Sequence, residues 1–165
     1  MRLMRTIIVL ISLFRSCDFG QAQDSQSKPD PSSAHIMVRP DAVMWQPVPP
    51  DWADGPPPPG YTLGQSEIAI IQGDPIKAGA PFVLRIRSTP GTQLPPHWHP
   101  IDENVTVLSG VWCLGIGDKF DAHACEDMPA GSYILLAKGM HHFAVAKGDI
   151  VQVHGIGPFK IHWVR

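Results

Sequence analysis

The chain has 165 residues, 44% of them apolar and 17% charged, with a formal net charge of -2. That suffices for one ordinary domain with a buried core and is too short for a multidomain enzyme; no basic stretch is long enough to track a phosphate backbone, so nucleic acid is not expected as a partner. Fifteen glycines and 18 prolines, one residue in five, argue against a helical bundle and for short strands joined by tight turns.

Taken in chain order, residues 1–22 read as a signal peptide. Met1-Arg2-Leu3-Met4-Arg5 is a basic start, Thr6 to Phe14 is an apolar run too short to span a bilayer, and Gly20-Gln21-Ala22 offers a cleavage site after Ala22. Arg15 lies closer to the apolar run than is usual, and a buried N-terminal strand is the competing reading. Export implies a periplasmic or secreted protein with no membrane span in the mature chain. Residues 23–61 read as a disordered leader followed by a proline-rich arm ending in Pro56-Pro57-Pro58-Pro59-Gly60. Trp45 and Trp52 would be poorly placed in free linker, so this arm is expected to lie across the following domain or a neighbouring subunit.

From residue 62 the pattern has period two. Phe82, Leu84 and Ile86 alternate with Val83, Arg85 and Arg87, which makes one face apolar and the other charged. Further strands are expected over 67–71, 103–109, 111–116, 133–137, 141–146, 150–154 and 160–164. Turn signals separate them, among them Ser109-Gly110 and Lys147-Gly148-Asp149. About eight short strands at this spacing predict an all-β sandwich or barrel over 62–165. Cys113 and Cys125, which remain after cleavage removes Cys17, are either a disulfide pair or two unrelated buried thiols. Gln152 and His154 share a strand face that points either into the barrel or outward.

Seven of the eight histidines lie beyond residue 95. In His97-Trp98-His99 the two imidazoles, two residues apart on an extended strand, point to one side, and Trp98 points away to pack on the other sheet. Glu103 follows after Pro100-Ile101-Asp102, which can turn a carboxylate back to the same place. Two imidazoles and a carboxylate suit a divalent first-row metal.

The spacing of Gly91, His97, His99, Glu103 and Gly110 resembles the first signature of the cupin superfamily at each defined position. Gly131, Gly139 and His142 resemble the second signature, which departs at Ala137 and Ala146, where proline and asparagine are usual. The likeness is to small, single-domain, RmlC-like cupins with a signal peptide. It implies a double-stranded β-helix, or jelly-roll barrel, and one divalent transition metal (Fe, Mn, Ni, Cu, Co or Zn) held by His97, His99, Glu103 and His142. His141 is the alternative to His142, and Asp102 to Glu103; the motif register disfavours both. The resemblance further implies a small-molecule substrate, a possible homodimer, and either a metal-dependent enzyme of dioxygenase type with Glu103 as its catalytic carboxylate, or a non-catalytic metal- or ligand-binding cupin.

Overall fold

The computed structural model describes residues 35–165; the signal peptide expected over 1–22 and the leader over 23–34 lie outside the described residues. Nine strands follow in order: β1 (Gln46–Pro47), β2 (Ser66–Gly73), β3 (Pro81–Ser88), β4 (Gln93–Trp98), β5 (Glu103–Ile116), β6 (Glu126–Pro129), β7 (Tyr133–Leu136), β8 (His142–Ile156) and β9 (His162–Trp163). Every strand pairing is antiparallel.

The alternation expected for β3 holds. Phe82 and Leu84 are fully buried, while Arg85 and Arg87 on the other face bond Gln152 (3.3 Å) and Glu67 (2.8 Å). The guanidinium of Arg87 also lies 4.4 Å over the ring of Trp45. Segment 36–61 runs against the barrel. Gln46 and Pro47 pair with Ile68 and Glu67, Val48 and Trp52 join the core, and Trp52 meets Phe159 edge-on at 6.0 Å.

Two turn signals do not end strands. β5 continues through Ser109-Gly110, and β8 continues through Lys147-Gly148-Asp149. Both glycines have positive φ, +68° and +80°, and the register of the β5–β8 pair slips there. A Cβ on Gly110 would sit 2.3 Å from the carbonyl oxygen of Gly148, so glycine is needed where the two strands press together. These residues bend the pair without breaking it. Residues 150–156 of β8 lie between β3 and the first part of β5, whereas 142–147 lie between β4 and the second part of β5. One long bent pair therefore belongs to both walls of the barrel. The β-bridge strands β1 and β6 were absent from the sequence reading: the first is two residues long, and Glu126-Asp127-Met128-Pro129 carries no apolar alternation.

Cys113 and Cys125 are disulfide-bonded, with Cα atoms 5.4 Å apart, and so fasten the hairpin of β5 and β6. Closing a loop of this size stabilises the fold by about 3 kcal/mol in the chain-entropy account. Replacing both cysteines with serine is expected to lower unfolding free energy by about that amount in urea titrations of the oxidised protein. An unchanged midpoint would contradict the chain-entropy account for this loop.

Candidate metal centre

His97 lies near the end of β4, opposite His142 at the start of β8. Past the end of β4, His99 is held by its own carbonyl, which accepts the Gly139 N–H at 2.9 Å. The chain then turns through Pro100–Asp102, where the Asp102 carboxylate accepts the Lys138 N–H at 2.8 Å, and enters β5 at Glu103 in the opposite wall. Two walls thus bring three imidazoles together and set Glu103 beside two of them.

The imidazoles of His97, His99 and His142 each bring a ring nitrogen to within 4.8 Å of the other two, and all three rings are buried. The Nδ1 of His97 meets the carbonyl of Pro95 at 2.7 Å, that of His99 meets Lys160 at 2.7 Å, and that of His142 meets Met140 at 3.0 Å. A carbonyl can only accept, so each Nδ1 carries the proton and each Nε2 presents a lone pair. Phe159 stacks on His99 at 4.4 Å and Trp163 meets His97 edge-on at 5.9 Å, which holds the ring planes.

Glu103 completes the cluster. Its Oε2 is 3.6 Å from the Nε2 of His99 and 3.6 Å from that of His142, too far for hydrogen bonds, and it has no hydrogen-bond partner although fully buried. An orphaned buried carboxylate oxygen facing imidazole lone pairs is repulsive by itself. A cation between them removes the conflict. Ligands about 2.1 Å from one ion and 90–110° apart are themselves about 3.0–3.4 Å apart, close to the 3.6 Å between Glu103 and the His99 and His142 nitrogens. The three histidines can hold a metal ion, and Glu103 is placed beside them with the missing charge.

Burial sets the titration of the cluster. Desolvation pulls His97 well below the ordinary histidine value, with His142 and His99 adding to it, and brings His99 down to about 4. His142 is also lowered, first by burial, while burial raises Glu103. The lowered histidines contribute stability above pH 6.5 that is lost as pH falls toward their folded values. In metal-free protein the His99 share, between pH 6.5 and about 4, amounts to about 3 kcal/mol. The raised Glu103 acts in the opposite sense and offsets part of this, so metal-free protein is expected to lose stability below pH 6.5 in thermal melts by the excess of the three histidines over that one carboxyl, and metal-loaded protein to resist until the ion leaves. A flat apo profile would contradict the buried neutral imidazoles.

Other expected residues lie elsewhere. His141 points out of the cluster and meets Asp118 at 2.7 Å. Asp102 caps the turn as described. Gln152 is half-buried and His154 exposed on the outer face, while Val151 and Val153 face the core. Trp98 does not pack on the other sheet: it stacks on His162 of the adjacent β9 at 4.1 Å, because β9 lies beside β4 and offers a ring on the same outer face. Trp112, by contrast, points inward and lines the cavity above the histidines.

No protein-family model and no curated protein matches the chain. Solved structures do. The polyketide cyclase RemF from Streptomyces resistomycificus is similar with TM-score 0.55 and 19% identity, over 73% of this chain and 78% of that one. KdgF from Halomonas sp. is similar with TM-score 0.51 and 15% identity, over 73% and 94%. An RmlC-like cupin from Shewanella frigidimarina gives TM-score 0.51 and 10% identity, over 75% and 93%. Fold and site together define a class, the β-barrel proteins with a histidine centre able to hold a metal. Within it this chain has the cupin fold, a double-stranded β-helix, as its two signatures led one to expect.

Proposed function

We propose that the protein is a metal-dependent enzyme of dioxygenase type acting on a small organic molecule, with one divalent transition metal held by His97, His99, Glu103 and His142. The observation that carries this reading is the unpartnered Oε2 of Glu103, buried 3.6 Å from the Nε2 atoms of His99 and His142. These four residues would hold the ion at one end of a cavity whose walls are mainly apolar, where a small molecule could reach it. When bound, such an ion supplies Lewis acidity and, if redox-active, electrons to dioxygen.

The chain's own residues do the rest. The carbonyls of Pro95, Lys160 and Met140 hold each imidazole in one tautomer and one orientation. Apolar walls exclude bulk water, which strengthens every charge interaction inside. Glu103, whose proton affinity is raised by burial, is placed to take a proton from an entering hydroxyl. Elemental analysis of purified protein, followed by oxygen uptake against small acyclic enediols and other small hydroxy compounds, tests the proposal. About one ion per chain with oxygen consumption supports it. Full metal without turnover would instead favour a non-catalytic binding cupin.

Export to a periplasmic or extracellular compartment and pairing of two copies belong to the same proposal. The Cys113–Cys125 bridge supports the first, since such bonds persist in oxidising compartments. Exposed Leu108, Tyr133 and Leu135 on one outer face of β5 and β7 support the second. Intact mass from the native compartment and sedimentation of the purified protein test them in turn.

A further inference from the structure

The cavity that opens on the histidine centre has a second polar pole. Ser66 pairs with Ser88 across β2 and β3, and the register Arg87–Ile150 puts Asp149 next in the same row on β8. Ser66 and Asp149 are both buried, at 2% and 5% exposure, on the inner face. The Oγ of Ser66 lies 2.7 Å from that of Ser88 and 3.0 Å from the hydroxyl of Tyr61. Three hydroxyls make two bonds between them, so one proton remains free to donate. The Asp149 Oδ1 accepts the backbone N–H of Lys147 at 3.0 Å, and among the described residues no cationic side chain pairs with this carboxyl. Burial raises its proton affinity, as expected for an uncompensated acid.

Tyr61, Ser66, Ser88 and Asp149 line the same cavity as the histidines and Glu103, and neither lysine nor arginine lines it. The two poles stand well apart. Asn104, next to Glu103, pairs with His154, while Ser109 pairs with Ile150, next to Asp149. The whole cavity is about 60 Å³. That is under half of the roughly 150 Å³ in which an engineered apolar cavity holds benzene.

We infer that this pole receives the far end of the substrate, a slender and non-anionic aliphatic molecule carrying a hydrogen-bond donor, hydroxyl or ammonium, whose near end meets the histidine centre. The inference rests on the metal-centre reading above. An anionic end would face Asp149 with no cation to offset it, and a methyl end would add nothing to the single Lys147 N–H that the carboxyl accepts and would leave the free hydroxyl proton unused. A hydroxyl end donates to the carboxyl and accepts that proton, and an ammonium end donates to the carboxyl and offsets its charge, while the apolar wall covers the carbon chain. A ring system would have to displace the wall.

The test loads the full-length protein with Co²⁺, measures metal content, and titrates it with alkyl hydroxamates of increasing chain length. The hydroxamate anchors on the metal and changes its visible spectrum; the far end is methyl, hydroxyl, ammonium or carboxylate. Hydroxyl- or ammonium-ended probes of one chain length are expected to bind about tenfold tighter than methyl- and carboxylate-ended ones. Which donor leads identifies the natural group. Asp149→Asn, whose amide donates as well as accepts, should raise the carboxylate-ended probe to the level of the hydroxyl-ended one, with metal content unchanged. Ser88→Ala, a milder change, should weaken the hydroxyl-ended probe alone. Equal affinity for all four ends, tightest binding of the carboxylate, or an unchanged ranking in Asp149→Asn would overturn the inference while leaving the metal reading intact. Protein that takes up no Co²⁺ rejects the metal reading and this one with it.

Discussion

Replacing His97 and His99 together with alanine is expected to reduce metal content from about one ion per chain to under about a tenth of that. Two of three converging imidazoles disappear, and the remaining His142 and Glu103 cannot close a four-ligand site. Truncation at two buried positions also leaves a cavity, so circular dichroism must show that the barrel still forms. His141→Ala provides the contrast. That ring is outside the cluster on Asp118, and the variant should keep its metal. Metal content unchanged in the double variant would show that the ion sits elsewhere.

Glu103→Gln is expected to separate holding the metal from using it. The amide keeps the size and one oxygen but loses the charge, so part of the metal remains while turnover falls by about a hundredfold or more, the usual share of a positioned acid–base group. Metal-free protein should respond in the opposite sense. There the wild-type carboxylate is buried, unpartnered and 3.6 Å from two nitrogen lone pairs, whereas a glutamine amide is neutral and leaves no charge to bury. The metal-free variant is thus expected to melt higher than metal-free wild type, and the metal-loaded variant lower than loaded wild type. Full turnover at full occupancy would reject the catalytic assignment. Loss of all metal would make Glu103 chiefly a structural ligand.

Much of this centre was legible before any coordinates. His97-x-His99 faces one way because strand side chains alternate, and the glycine, histidine and glutamate spacing carried the cupin resemblance that added His142. The structure gathers His97, His99 and His142, sets Glu103 3.6 Å from two of them, and turns His141 and Asp102 to other partners. The carbonyls that fix the imidazole tautomers were not legible. Pro95 and Met140 are near neighbours of their histidines, but Lys160 lies 61 residues from His99, and only folding brings it there.

The sequence by itself determined the alternation that makes strands, the residue types that suit a metal and the spacing that orders them. Those are local properties, set by the period of the strand and the stereochemistry of glycine and proline. Tertiary structure alone decided that Gly110 and Gly148 bend two long strands instead of ending four short ones. A glycine at positive φ serves a turn or a bulge equally well, and the choice depends on the partner strand pressing against it. The same bend hid Asp149. The turn signal Lys147-Gly148-Asp149 says nothing of its surroundings, but in the continuous strand it shares the inner face with Val151 and Val153, and the barrel closes over it. Whether a side chain faces water or a cavity is settled by what lies across from it, and that is a property of the closed barrel.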